Sequence, residues 1–216
     1  MTDTSAPAEL RPGEAPVVRG DALVVDALPS FRFSHHSLMW WGTFGIVAIE
    51  GTVFAIAIVA YFYVRTQVNV WPPGLLPPDL RWGTINVALL LLSAIPNEWT
   101  KRAAIARDLR KVRIGIWVCL AMACAMLVLR GLEFSTLNCR WDSNAYGSAV
   151  WLLLGLHTVH LATDAFDTAV LAVLLLTGPL DGRRYVDVEE NSIYWYFVVL
   201  AWLPVYAVIY VAPRFL

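Results

Sequence analysis

The feature that most constrains this chain is a series of five long apolar segments. A helix needs about 20 residues to cross about 30 Å of hydrocarbon, because each residue adds about 1.5 Å. Only 15% of the residues are charged, whereas a soluble domain carries about 25%. These observations predict an integral membrane protein of the all-α class, a bundle of five transmembrane helices. The predicted spans run from about Leu38 to Arg65, Trp82 to Trp99, Ile114 to Leu132, Gly147 to Leu176 and Ser192 to Ala212.

Residues 38–216 form the predicted transmembrane domain, and residues 1–37 form a predicted N-terminal arm. The arm is rich in Pro, Ala and acidic residues up to about residue 20, and we expect this part to be poorly ordered. It lacks the basic start and apolar core of a signal peptide. Within the domain the second span is the least regular, since it contains Pro96. We expect this proline to kink the helix or to end its tightly packed portion.

The distribution of basic residues predicts the orientation of the chain in the membrane. Eleven of the 16 Lys and Arg residues lie in the arm and in the links that follow the second and fourth spans. Because Lys and Arg are concentrated on the cytoplasmic side, the N-terminus is predicted to be cytoplasmic and the C-terminus to be outside. This arrangement requires an odd number of spans, which agrees with the five predicted. The eleven residues are Arg11, Arg19, Arg32, Lys101, Arg102, Arg107, Arg110, Lys111, Arg113, Arg183 and Arg184.

Several ionisable residues are predicted to lie within the membrane. A charge near the bilayer centre costs about 2.5–3.5 kcal/mol on insertion scales, so such a group usually faces protein or water. The fourth span contains four ionisable residues, His157, His160, Asp164 and Asp167. At 100° per residue, they fall within an arc of about 80° on the helix. Asp167 lies near the inner end, where it can reach cytoplasmic water. We expect a buried polar, proton-linked cluster made of Glu50, His157, His160 and Asp164.

Three roles are open for this polar cluster. It can be an interhelical hydrogen-bond patch that fixes packing, or a site that holds a proton near neutral pH. An HxxH pair with a carboxylate can also hold zinc or iron. However, the chain has no HExxH motif, and His35 and His36 precede the first span. Its three cysteines form no pair spaced for zinc, haem or copper.

The ends of the spans carry two further signals. Arg130 and Glu133 are three residues apart at the outer end of the third span, so they share one helix face and are predicted to form an interfacial ion pair. Tryptophan rings favour the membrane interface. The interface candidates are Trp71, Trp82, Trp141, Trp195 and Trp202.

Several segments together resemble the cytochrome c oxidase subunit III family. The stretch YGSAVWLLLGLHTVH, from Tyr146 to His160, is similar to the family's Y-G-S-x5-G-x-H-x-x-H segment. Glu50 matches the family's membrane-embedded glutamate, and Asn86, Ser93 and Glu133 match positions in the next two helices. The resemblance covers about residues 38–213. Two departures are in the last helix, where Tyr196 and Val199 replace a histidine and an aspartate, and another is Asp164, where glycine is common.

The resemblance implies a five-helix form of the subunit, without the first two of the family's usual seven helices. It implies a non-catalytic accessory subunit of a haem–copper terminal oxidase in a bacterial inner membrane. Such a chain binds no metal itself, packs on subunit I with subunit II nearby, and supports stability and proton uptake in aerobic respiration. Haem and copper belong to the partner subunits, and phospholipid is a further expected ligand. The alternatives are an accessory protein of nitric oxide reductase, or an independent proton-linked transporter or metalloenzyme.

Overall fold

A computed structural model describes residues 37–178 and 182–215 of the chain. The predictions for the N-terminal arm, apart from Ser37, and for residues 179–181 therefore lie outside the described residues. The described part confirms the all-α class, since it contains five long α-helices and a short irregular helical end. The elements are α1 (Leu38–Thr66), α2 (Leu80–Ile105), α3 (Leu109–Ser135), α4 (Ala145–Thr177) and α5 (Gly182–Tyr206), followed by a π-helical turn (Ala207–Val211) and a 3-10 turn (Ala212–Arg214).

The first four helices each begin after a polar residue that caps the helix. Its side-chain oxygen accepts a hydrogen bond from a backbone N–H of the first turn, which has no partner within the helix. The capping residues are Ser37, Asp79, Asp108 and Asn144. α5 begins at Gly182 rather than near the predicted Ser192. Hydropathy marks where a helix becomes apolar, and the first two turns of α5 are helical but polar.

Four helical segments are long and apolar enough to cross a membrane, which makes the chain a multi-pass membrane protein. They are Leu38–Thr66, Leu109–Ser135, Ala145–Thr177 and Arg184–Arg214. Among the described helices, α2 is the long one that does not meet this criterion, because polar residues such as Asn86 and Asn97 interrupt its apolar run. Of the two outcomes expected at Pro96, a kink or an end of tight packing, the second is not observed, since Asn97, Thr100 and Ala104 beyond it are buried.

α1 lies at the edge of the bundle, where it packs on α4 and α5. Only four of its 29 residues are buried: Thr43, Phe54, Ala57 and Tyr61. The other helices form the core, with α2 against α3 and α5, and α4 between α3 and α5. α4 presents the longest series of buried residues. The buried polar side chains of α4, which include His157, His160 and Asp164, therefore face neighbouring helices.

Three of the five tryptophans predicted to lie at the interface are buried in the protein. Trp71, Trp195 and Trp202 are 6%, 6% and 0% exposed. The indole N–H of Trp71 donates to the Tyr61 hydroxyl (2.9 Å). That of Trp195 donates to Ser93 Oγ (2.9 Å). An indole ring suits an interface and a polar core equally well, because it is apolar with one donor, and the sequence alone does not distinguish the two.

Candidate functional site

Arg130 and Glu133 form the centre of a buried polar network. Arg130 Nη1 donates to Glu133 Oε2 (2.7 Å), and both side chains are 1% exposed. The pair is therefore enclosed by neighbouring helices and is not exposed on the surface of the described chain. Glu133 also accepts a hydrogen bond from Asn86 Nδ2 (3.4 Å) of α2 and one from the Tyr210 hydroxyl of the π-helical turn.

His157 belongs to the same network, and its contacts define its protonation state. Arg130 Nη2 lies 3.0 Å from His157 Nδ1, and a guanidinium can only donate, so Nδ1 accepts. His157 Nε2 lies 3.0 Å from the Val198 carbonyl oxygen, which can only accept, so Nε2 carries the hydrogen. His157 is therefore a neutral imidazole with one tautomer. Its two bonds connect α4 to α3 on one side and to α5 on the other.

Trp202 completes the surroundings of the guanidinium. The Arg130 Cζ atom lies 3.8 Å from the centroid of the Trp202 ring, a cation–π contact that is strongest where water is excluded. The His157 ring lies against the same indole, with ring centroids 4.6 Å apart. Arg130 is thus held by a carboxylate, an imidazole and an aromatic face. The resulting network, which we call the arginine network, joins α2, α3, α4 and α5.

Glu50 and His160 form a second polar group, on the side of α4 that faces α1. His160 Nε2 lies 3.7 Å from Glu50 Oε1, and the Tyr194 hydroxyl of α5 donates to Glu50 Oε2 (2.8 Å). His160 Nδ1 lies 2.7 Å from the Leu156 carbonyl oxygen. We call Glu50 and His160 the glutamate pair, and Tyr194 is its hydrogen-bond donor.

The contact between His160 and Glu50 is longer than a hydrogen bond. Since the Leu156 carbonyl can only accept, His160 Nδ1 carries a hydrogen. The 3.7 Å between His160 Nε2 and Glu50 Oε1 lies beyond the hydrogen-bond range, so the two side chains attract each other as an ion pair only where the imidazole is charged. The direct hydrogen-bond donor to Glu50 is the Tyr194 hydroxyl.

The structure thus separates His157 from the rest of the predicted polar cluster. His157 lies in the arginine network, whereas His160 contacts Glu50. Asp164 is 1% exposed and lines a cavity together with Glu50 and with Asp167, whose side chain is exposed. One helix face can meet several neighbours along its length, so residues that share a face need not share a site. The fold class could be predicted from one helix at a time, but this division could not.

Sequence reasoning missed three members of these networks. Tyr194 and Tyr210 resemble ordinary interfacial tyrosines in the sequence, yet both donate to buried or half-buried carboxylates. Asn86 carried the clearest signal, because it is an amide within the apolar run INVALLLL, and buried amides need hydrogen-bond partners. The described residues hold no group of three or more His, Cys, Asp or Glu side chains arranged for a metal ion.

Comparison with known proteins points to the family that the sequence segments resemble. The family model described as cytochrome c oxidase subunit III matches residues 69–213. Cytochrome c oxidase subunit 3 of Thermostichus vulcanus is 24% identical over 200 residues, which cover 91% of this chain and 96% of that protein. The same subunit of Pylaiella littoralis is 27% identical over 144 residues, 66% of this chain and 53% of that protein.

A third relative is a fused protein. Heme-copper oxidase subunit I+III of Aeropyrum pernix is 28% identical over 185 residues, which cover 81% of this chain and 22% of that protein. This chain therefore spans nearly all of one relative, about half of another and a minor part of the fusion.

Proposed function

The chain belongs to the cytochrome c oxidase subunit III family, and we propose that it is a non-catalytic accessory subunit of a haem–copper terminal oxidase that packs on subunit I. The match over residues 69–213 carries this proposal. The fused subunit I+III relative supports the choice of partner, because two segments joined in one chain are expected to lie together. Subunit II and phospholipid are proposed as further contacts, and haem and copper are assigned to the partner subunits.

The proposed setting is a bacterial inner membrane, with the N-terminus in the cytoplasm and the C-terminus outside. In this arrangement α2 is the fifth span, in addition to the four segments that each contain a stretch long and apolar enough to cross a membrane. Burial of Asn86, Ser93 and Asn97 supports it, because the polar groups of α2 face protein rather than lipid. The basic residues where α2 ends and α3 begins then face the cytoplasm, which agrees with the preference of Lys and Arg for that side.

The two polar groups have different proposed roles. The arginine network joins four helices through charged and hydrogen-bonded contacts, and it stabilises the scaffold that the partner packs on. The glutamate pair places the Glu50 carboxylate 3.7 Å from the His160 imidazole, and we propose that it supports proton uptake by the complex. The edge position of α1 fits a docking role, because many of its apolar side chains, such as Ile49, Ile56 and Val59, are exposed.

The experiment is to delete this subunit and to measure oxygen consumption by the purified complex over many turnovers. We expect the complex without it to start with part of the normal activity and to lose that activity progressively, while the complete complex keeps it. The haem-bearing subunits are expected to co-purify with the tagged chain. Full and lasting activity without the chain would contradict the proposal.

A substitution separates proton holding from packing. Glu50→Gln keeps an oxygen that can accept from Tyr194, but it removes the carboxylate that lies 3.7 Å from His160 Nε2. We expect the complex to assemble normally and to lose activity faster during turnover. Glu98→Gln is the matched control, since Glu98 pairs with Arg102 at a more exposed position. Failure of Glu50→Gln to assemble would instead favour a purely structural role for the glutamate pair.

A further inference from the structure

A cavity of about 530 Å³ lies between α1, α4 and α5. Its walls come from the first turns of α1, the second half of α4 and the first turns of α5, so it lies at the end of the bundle where α1 begins. Among the described residues, none of those that line it is Lys, Arg or His. Five of them are acidic: Glu50, Asp164, Asp167, Asp187 and Glu190.

Some of these carboxyl groups already have partners. Glu50 lies against His160 and Tyr194, as described above. Arg184 Nη1 donates to Asp187 Oδ2 (3.3 Å), which places a positive charge beside that carboxylate. Glu190 Oε1 accepts from the Thr43 hydroxyl (2.8 Å), a contact that adds no positive charge. Asp164, Asp167 and Glu190 therefore have no basic partner among the described residues.

Asp164 is the residue that points to a ligand. Its side chain is 1% exposed, and its Oδ2 atom is buried without a hydrogen-bond partner in the described part of the chain. Asp167 follows one turn later on the same face of α4 and lines the same cavity. A buried carboxylate is costly unless it is paired. A cation that enters the cavity would supply the missing partner.

The size of the cavity limits the kind of cation. Residues 37–178 and 182–215 hold no group of three acidic, His or Cys side chains arranged to bind a metal ion directly. A volume of about 530 Å³ lies within the range of about 300–1,000 Å³ that is typical of sites for small organic ligands. An ammonium group donates three hydrogen bonds and accepts none, which suits a wall of carboxylates and a hydroxyl.

We propose that this cavity binds a protonated aliphatic diamine or polyamine. One ammonium group contacts Asp164 and Asp167 near the middle of the cavity, and another lies towards Glu190 at the end where α1 begins. A flexible chain with separated charges matches carboxylates that are distributed along the wall better than a single compact ion does. The proposal does not depend on the oxidase role. Its test does not depend on the orientation in the membrane either, because both ends of the bundle are accessible in detergent.

The test is equilibrium dialysis of radiolabelled putrescine, an aliphatic diamine, against the purified full chain in detergent micelles. We expect saturable binding that spermidine displaces and that KCl or MgCl2 at matched ionic strength does not. Asp164→Asn should weaken binding by about tenfold or more, because it removes a charge-assisted hydrogen bond. Asp167→Asn, at an exposed position, should weaken it as well. The second variant decides the question if thermal melting shows that the first does not fold.

The matched control is Asp142→Asn. This residue forms an exposed pair with Arg140 in the link between α3 and α4, away from the cavity, and its replacement should leave putrescine binding unchanged. Absence of saturable binding would overturn the proposal, as would equal affinity in the control and in both cavity variants. Displacement by MgCl2 but not by KCl at matched ionic strength would also overturn it, because it would show a metal site.

Discussion

The arginine network allows the sharpest test of the structure, through the substitution Glu133→Gln. Arg130 Nη1 lies 2.7 Å from Glu133 Oε2, and both side chains are 1% exposed. Water therefore cannot take the place of the carboxylate that the substitution removes. Two unit charges about 4 Å apart attract by about 4 kcal/mol at an effective dielectric constant of about 20. Removal of one partner of a buried ion pair costs about 3–5 kcal/mol, since the other charge remains buried. We expect Glu133→Gln to lower the free energy of unfolding by about this amount.

The assay is unfolding of the chain in mixed micelles by increasing fractions of dodecyl sulfate, followed by tryptophan fluorescence. Trp202 is a suitable reporter, because its ring lies 3.8 Å from the Arg130 guanidinium carbon in the folded protein. Asp142→Asn is the control for loss of an ion pair. Its partner Arg140 is 79% exposed, and exposed pairs contribute only about 0–1 kcal/mol.

A double substitution distinguishes the buried charge from the lost contacts. Arg130→Met together with Glu133→Gln removes the uncompensated cation, and apolar replacement of buried pairs is often neutral. We expect the double variant to be more stable than Glu133→Gln alone. If Glu133→Gln lowers the free energy of unfolding no more than Asp142→Asn does, the pair is not buried as described and the reasoning is refuted.

Two further predictions concern packing and a thiol. Gly115→Ala should lower the free energy of unfolding by about 1–3 kcal/mol, because a Cβ atom there would lie 2.0 Å from Thr100 Oγ1, where α2 meets α3. Gly131→Ala, where a Cβ atom meets nothing within 4 Å, is its control in the same micelle titration, and equal losses would contradict the close approach. Burial raises the pKa of the Cys139 thiol to about 11, so at pH 8 it should react with a maleimide far more slowly in the folded chain than after unfolding, and faster as the pH rises towards 11. Mass spectrometry of a variant whose other cysteines are serine measures both rates, and equal rates would show that Cys139 is not buried.

Much of the fold could be predicted because its signals are local. The length and apolar character of a segment depend only on consecutive residues, and α1, α3 and α4 contain their predicted spans. The contact between Arg130 and Glu133 is also local, since residues three apart on a helix lie side by side. The start of α5 and the continuity of α2 through Pro96 were less accessible. Polar turns and a proline look the same in sequence whether or not neighbouring helices pack around them.

The sequence by itself determined that this chain is a membrane protein made of long helices, with a small set of acidic and imidazole side chains deep within them. It also determined that those side chains must face protein or water, because hydrocarbon excludes charge. Only the tertiary structure decided their partners. His157 faces Arg130 and His160 faces Glu50, although the two rings are one turn apart on α4. The physical reason is that each partner depends on how whole helices rotate and cross, which no single segment encodes.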